Sequence, residues 1–251
     1  MPRMNYSYKY VLFLDILGWS AEINTSGYKK EDPAKIDITQ KMDVPEKIAA
    51  GLNAIQRVVR NFRKNGGDSL HPFTPVVQQF SDSFIASVPF NKDATWIEAR
   101  VVAFCKEVAR ELLKEKFLVR GGISLGPLLH TEEMIVGPAL VWAYELESKV
   151  ANYPRIVVDS EIARWFNITD SLGDNSNWLM SIDGDNNQFI DYLSPDPDGN
   201  GRSQKSEYIT RMELARGVIN DGLHSLVDQK IKAKYEWYKK YYLAVEKANP
   251  L

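Results

Sequence analysis

Cysteine is almost absent from this chain of 251 residues. The single cysteine, Cys105, cannot form an intrachain disulfide, and it lies within an apolar helical pattern. We therefore expect it to be buried and to pack as a small hydrophobe, rather than to act as a nucleophile. A chain that uses so little cysteine fits a reducing compartment such as the cytoplasm.

An excess of charge of either sign is also missing. The formal net charge is −2 and the isoelectric point is near 6.0. No overall field favours nucleic acid or an anionic membrane surface, so neither is an expected partner. Any polyanion has to be bound by a local group of basic residues.

Long hydrophobic runs are absent as well, since no stretch reaches the about 20 apolar residues of a membrane-spanning helix. Arg3 and Lys9 precede the apolar residues 11–17, as in a signal peptide, but Asp15 interrupts that run and no small-residue cleavage site follows promptly. Apolar residues make up 44% of the chain, enough for a sizeable core. We expect a soluble protein without internal repeats.

Two apolar, β-prone stretches, residues 10–20 and 76–86, each contain one aspartate, Asp15 and Asp82. An ionised carboxylate inside a buried run is costly unless it is paired or bound to a cation. We interpret the stretches as neighbouring strands that hold the two aspartates side by side on a divalent metal. Oxygen ligands without histidine or cysteine favour magnesium or manganese. Either aspartate alone has an alternative role as a turn former or helix cap.

The order of elements predicts an α+β fold. A strand at 10–17 precedes a helix from 45 to 64, a hairpin at 74–88 with its bend near Asp82, and a helix from 93. Residues 117–129 predict a buried strand, a glycine-assisted bend and a short returning strand. Glycines this dense also indicate close approach of another backbone or a ligand. A helix from Gly137 and a strand at 154–159 complete a ferredoxin-like, mostly antiparallel sheet with helices on one face.

The last third of the chain gives weaker signals. Residues 178–180 and 188–190 pair across residues 183–187, an aspartate-rich segment that lacks the glutamate of a calcium loop and favours a solvated turn. Residues 226–248 predict a long helix docked through its tyrosines, with solvated lysines, one or two of which reach a triphosphate. Nucleic-acid binding is the alternative interpretation of its interleaved lysines and tyrosines.

Four segments resemble, in order and spacing, the successive motifs of class III nucleotide cyclases. They are residues 13–19, 80–83, 120–126 and 137–147. Within that family the chain is most similar to the small pyrimidine cyclases of the bacterial anti-phage system Pycsar, which include uridylate and cytidylate cyclases and share a final helix rich in lysine and tyrosine. The resemblance implies a cyclase core at 8–160 and a C-terminal extension at 161–251 packed on it.

The resemblance also implies roles for individual residues. Asp15 and Asp82 would hold two metal ions, Mn²⁺ or Mg²⁺, with the Ile16 backbone carbonyl as a further ligand. The backbone of the turn after Asp15 would wrap the triphosphate. Arg120 has two open interpretations, a phosphate contact or a structural ion pair. The nucleotide-binding candidates are Phe13, Leu17, Gly18, Trp19, Ser20 and Arg120.

The chain departs from the purine cyclases of the family. Those enzymes carry an asparagine and an arginine in the helix after the Gly137 motif, and this chain has Val141 and Glu145 there. Met134 lies near the position of their base-selecting aspartate. These differences disfavour adenylate or guanylate cyclase activity and leave the cation that stabilises the transition state unassigned.

The function implied is a uridylate cyclase that converts UTP to 3′,5′-cyclic UMP and pyrophosphate. It would act as a homodimer with active sites at the subunit interface, and a separate effector would sense its product. Three alternatives stay open: a cytidylate cyclase, a non-catalytic nucleotide-binding module, and a polymerase-palm-like nucleotidyltransferase. The acidic net charge disfavours the last, since it leaves no basic template channel.

Overall fold

The computed structural model describes residues 4–27, 32–35, 37, 39, 43–64, 73–94, 96–164, 180–196, 205–225 and 228–250. The elements in the first half are β1 (Ser7–Leu17), α1 (Trp19–Asn24), a 3₁₀ turn (Pro33–Lys35), α2 (Glu46–Lys64), β2 (Val76–Phe80), β3 (Ser83–Pro89) and α3 (Trp96–Lys114). They are followed by β4 (Leu118–His130), β5 (Ile135–Val136), α4 (Pro138–Glu145), a π-helical turn (Leu146–Val150), β6 (Ile156–Val158), β7 (Met180–Ile182), β8 (Gln188–Ile190), α5 (Lys205–Ser225) and α6 (Gln229–Ala248).

A mixed, mostly antiparallel sheet forms the centre of the fold. Within the described residues the strand order is β2-β3-β1-β4-β6-β8-β7, and β5 pairs with β4. The β4–β6 pair is parallel, and the other pairs are antiparallel. The predicted α+β class and the hairpin around Asp82 are confirmed.

The two faces of the sheet are covered differently. Alternate residues of β1, among them Leu12 and Leu14, are buried under α2 and α3 in the main core. On the opposite face α4 packs through Ala139 and Ala143 against Val11 of β1. Helices α2 and α3 therefore share one face, as expected, while the short α4 lies on the face that also carries Asp15.

The bend predicted within residues 117–129 is wrong, because β4 is one strand of 13 residues. Its glycines serve close packing instead. A Cβ at Gly121 would lie 2.6 Å from the Phe13 carbonyl oxygen, and one at Gly122 would lie 2.4 Å from that of Ala143. One at Gly126 would lie 2.5 Å from the Trp142 ring. The close approach that the glycines also indicated is thus confirmed.

The C-terminal part of the chain packs on the main core. Helix α6 buries Tyr238, Tyr241 and Tyr242, as its tyrosine stripe predicted. Helix α5 was not predicted from the sequence. The turn between β7 and β8 is confirmed, with Met180 the first described residue of its leading strand; the predicted Trp178 and Leu179 lie outside the described residues.

The expectation of a solvated turn holds for residues 184–186, which are exposed, but it is wrong for Asp183. Its side chain is 3% exposed and forms an ion pair with Arg155, whose side chain is 1% exposed. The arginine lies near the Trp237 ring of α6, so the turn, the sheet and α6 meet at one buried cation.

Two other expectations concern the single cysteine and the long hydrophobic runs. Cys105 is fully buried in α3, as predicted. Among the described residues, none of the helices combines the length and the apolar content that crossing a bilayer requires.

Candidate nucleotide and metal site

The two aspartates singled out in the sequence lie at the same end of the sheet. Asp15 is near the end of β1 and stands opposite Ser83, the residue after Asp82. The Ile16 backbone N–H donates to the Asp82 carbonyl oxygen at 2.9 Å, which ties the hairpin turn to β1. Ser81 adopts a left-handed conformation, with φ of 53°, that lets the chain reverse within two residues.

Arg120 stands directly across from Asp15 on the neighbouring strand β4. Its Nε donates to Asp15 Oδ2 at 2.9 Å and lies 2.7 Å from Glu147 Oε1. The N–H is directed at Asp15, so the contact with Glu147 is an ion pair without a hydrogen bond to Oε1. The Arg120 guanidinium thus interacts with both carboxylates.

Glu147 belongs to the π-helical turn after α4, and π-turns often occur at functional sites. Its side chain is 3% exposed. Burial raises the pKa of this carboxyl, Arg120 opposes that shift, and the negative charges of Asp15 and Asp82 add to it. The sequence analysis placed Glu147 only in a family motif and gave it no role; the residue type inside an apolar helical run was the available signal.

Lys234 approaches the same group from α6. It is half-buried. Burial lowers the pKa of its ammonium, the nearby Arg120 charge lowers it further, and Asp15 and Glu147 oppose the shift. We refer to Asp15, Asp82, Arg120, Glu147 and Lys234 as the Asp15 cluster. Lys234 was one of several lysines of this helix that were predicted to be solvated, with one or two of them reaching a triphosphate.

The predicted triphosphate-binding turn follows Asp15 directly. Gly18 has φ of 87°, in the left-handed region where glycine is favoured, and α1 begins at Trp19. The Trp19 side chain is buried against the Phe117 ring, with centroids 5.2 Å apart. Only the backbone of Trp19 therefore faces the turn, whereas Leu17 is half-buried and Ser20 is exposed.

A shallow depression of about 580 Å³ adjoins the Asp82 hairpin. Phe13 and Tyr144 form one wall, with ring centroids 5.4 Å apart in an edge-on arrangement. Phe80, Ile85 and Ile135 are also among its lining residues. Its size suits a ligand of nucleoside dimensions. The structure thus brings Phe13, a nucleotide-binding candidate, together with Tyr144 near the Asp15 cluster.

The two family departures lie on the outer side of α4. Val141 is 53% exposed, and the partly exposed Glu145 pairs with Lys149 at 2.5 Å. Neither is a member of the Asp15 cluster. Several neighbouring apolar side chains are exposed as well: Phe80, Met134, Val136, Trp142 and Tyr144.

The side chains of the site are of the type that binds magnesium or manganese. Asp15 and Asp82 supply carboxylate oxygens at one sheet end, and Glu147 Oε1 nearby is buried without a hydrogen bond. Among the described residues, no three histidine, cysteine, aspartate or glutamate side chains converge on one metal position. Mg²⁺ commonly uses one or two carboxylates together with waters and substrate phosphates, so two aspartates meet its needs.

The fold and the site together describe an α+β protein with an acidic and basic cluster at one end of its sheet. No protein-family model matches the chain, and no curated protein matches it.

Solved structures of nucleotide cyclases are similar to it. The guanylyl cyclase Cya2 is 14% identical over 74% of this chain and 90% of that chain, with a TM-score of 0.37. An adenylate/guanylate cyclase/hydrolase from Silicibacter pomeroyi is 16% identical over 74% of this chain and 94% of that chain, with a TM-score of 0.41. Because these identities and TM-scores are low, the similarity does not assign a function to the chain.

Proposed function

We propose that the protein is a pyrimidine nucleotide cyclase that converts UTP to 3′,5′-cyclic UMP and pyrophosphate. The observation that carries the proposal is the Asp15 cluster, where two aspartates meet at one sheet end beside a cation shared by two carboxylates. The choice of a pyrimidine, of uridine over cytidine, and of a role in anti-phage defence rests on the sequence resemblance to Pycsar cyclases.

The reaction joins two parts of one substrate. The ribose 3′-oxygen attacks the α-phosphorus, the bond to the β-phosphate oxygen breaks, and pyrophosphate leaves, so no protein nucleophile is needed. Correct folding of the substrate and stabilisation of the developing charge are the demands on the protein. Two divalent ions held by Asp15, Asp82 and the Ile16 carbonyl would lower the pKa of the 3′-hydroxyl and neutralise the departing phosphates.

The chain's own residues bind and orient the substrate in this proposal. The backbone of residues 17–20 contacts the triphosphate, and Arg120 neutralises phosphate charge. Glu147 keeps the guanidinium in place when Asp15 binds a metal instead. The base enters the depression beside Phe13 and Tyr144, where the aromatic walls reduce the space for a purine.

A homodimer is part of the proposal, with each site at the subunit interface. The exposed apolar side chains on the α4 side of the sheet support it, because a monomer rarely exposes many large hydrophobes together. Two copies related by a twofold axis would bury the same surface twice. A strictly monomeric active enzyme contradicts this part.

The test is incubation of the purified protein with Mn²⁺ and each of the four ribonucleoside triphosphates in turn, with products identified by mass. We expect cyclic UMP, and we expect none from an Asp82→Ala variant. Cyclic CMP as the main product would establish the cytidylate alternative. Nucleotide binding without any product would favour a non-catalytic module, for which Glu145 in place of an arginine is the supporting observation.

A further inference from the structure

Glu147 lies in a π-helical turn whose start packs on the strand that carries Arg120. The Ala151 backbone N–H donates to the Leu146 carbonyl oxygen at 2.8 Å, so this bond spans five residues where an α-helix spans four. A Cβ at Gly122 would lie 2.5 Å from Leu146 Cβ and 3.1 Å from the Glu147 backbone nitrogen. The start of the turn is therefore packed directly on β4, two residues beyond Arg120.

Arg155 binds the end of the same turn. Its Nη2 donates at 2.9 Å to the carbonyl oxygen of Val150, the last residue of the turn. Carbonyl groups at a helix end need donors from outside the helix, and this guanidinium is one. The carbonyl oxygen of Arg155 in turn accepts from the Gly121 N–H at 2.9 Å, and Gly121 follows Arg120 in β4. One residue thus contacts both the turn that contains Glu147 and the strand that contains Arg120.

Two parts of the C-terminal extension hold the Arg155 side chain, which is 1% exposed. Asp183, in the turn between β7 and β8, is its buried ion-pair partner. Trp237 of α6 faces the guanidinium, whose central carbon lies 5.4 Å from the ring centroid, and stacks on Tyr153 with parallel rings and centroids 5.6 Å apart. A cation over an aromatic face and two stacked rings both attract each other. Arg155 therefore cannot shift without breaking its contacts with the extension.

The position of Glu147 matters because Arg120 is shared. Arg120 Nε lies 2.7 Å from Glu147 Oε1 and 2.9 Å from Asp15 Oδ2, so a small shift of the turn changes which carboxylate the guanidinium approaches. Displacement of a binding group by about 1 Å can slow an enzyme by about 100-fold. The contacts of Arg155 thus fix a distance on which the candidate site depends.

We propose that Arg155 and Trp237 are positioning residues, which hold the π-turn and, through it, Glu147 beside Arg120. The C-terminal extension then sets the geometry of the candidate site of its own subunit, in addition to covering the core. The kinetic part of this inference rests on the proposed function, whereas the structural part does not.

The structural part is tested by amide hydrogen exchange in the unmodified protein and in Trp237→Leu, resolved at the Ala151 amide. This N–H belongs to the same peptide unit as the Val150 carbonyl that Arg155 binds, so it reports on the π-turn directly. We expect its exchange to be about tenfold faster in Trp237→Leu, while the amides of the central strand β1 stay unchanged. Trp237→Phe keeps a ring that can stack on Tyr153 and should restore most of the protection.

Val245→Ala is the matched control, because Val245 is buried on the same helix about two turns beyond Trp237. It should lower the melting temperature yet leave the exchange rate of the Ala151 amide unchanged. Equal exchange rates at Ala151 in Trp237→Leu and Val245→Ala would overturn the inference and leave the proposed function standing.

The kinetic part is tested with the triphosphate that gives the most cyclic product. Trp237→Leu should lower kcat by about tenfold in the unmodified background and by less than about twofold in a Glu147→Gln background, because it acts through Glu147. The same loss in both backgrounds would overturn the positioning role and make Trp237 a residue of stability only. If the unmodified protein makes no cyclic nucleotide from any triphosphate, the proposed function fails, and the exchange rates at Ala151 still decide whether Trp237 holds the turn.

Discussion

His130 makes the stability of the fold depend on pH. The imidazole is 4% exposed, its Nδ1 shares a 2.7 Å hydrogen bond with the Ser87 hydroxyl, and its Nε2 is buried with no hydrogen-bond partner among the described residues. Burial lowers the pKa of His130 to about 4, from 6.5 for an exposed histidine, and the charge of Lys9 acts in the same direction.

The sign of the effect follows from which state binds the proton. Between pH 6.5 and 4 the unfolded chain is protonated at His130 and the folded chain is not, so protons favour unfolding as the pH falls. Each pH unit within that window corresponds to about 1.4 kcal/mol. Lowering the pH from 7 to 5 should therefore remove about 2 kcal/mol of the free energy of unfolding through this residue.

The assay is urea denaturation of the unmodified protein and of His130→Asn at a series of pH values. Asparagine can keep a hydrogen bond to Ser87 but does not titrate. From pH 7 to pH 5 we expect the free energy of unfolding of the unmodified protein to fall by about 2 kcal/mol relative to that of His130→Asn. Ser87→Ala should lose stability at every pH yet keep the slope, because burial is the main cause of the shift. Parallel stability curves for the unmodified protein and His130→Asn would refute the reasoning.

Two further predictions concern packing. Arg155→Met should destabilise the protein by about 3–5 kcal/mol in urea denaturation, because it leaves the buried Asp183 carboxylate without its cation; a loss below about 1 kcal/mol would contradict the assigned ion pair. Gly122→Ala should lower stability by about 1–3 kcal/mol, since its Cβ would meet the Ala143 carbonyl oxygen and the Leu146 side chain. Gly184→Ala, with no atom within 4 Å of the added Cβ, is the control, and equal melting temperatures for both would count against the packing argument.

The order of strands and helices up to β6 could be predicted because each element has a clear period in its apolar residues. The interior of β4 could not, since Gly121 and Gly122 are equally compatible with a bend and with a straight strand under a close neighbour. Only the position of α4 on that face decides between them. Helix α5 escaped prediction because its buried stripe includes the small Ala215 and Gly222.

The site was predictable where chemistry and local sequence coincide, as at Asp15 and Asp82. Each aspartate interrupts an apolar run, and the two runs lie together because β1 pairs with β3, the second strand of the hairpin. Lys234 has no such local signal, and the signal at Glu147 is limited to an acidic residue within an apolar helical run. Both residues join the site through tertiary contacts. Lys234 lies more than 80 residues beyond Glu147 in the chain, and helical periodicity places it among solvent-facing lysines.

The tyrosines of α6 have a consequence for the order in which the protein can fold. The Tyr241 hydroxyl donates to Asp191 Oδ1 at 2.5 Å and accepts from the Leu193 backbone N–H, so the segment after β8 depends on a tyrosine that is synthesised 48 to 50 residues later. Domains usually fold during synthesis as soon as their contacts are available. The contacts of α6 with the segment after β8 cannot form until residues 229–248 leave the ribosome, so we expect the docking of that helix to be a late step of folding.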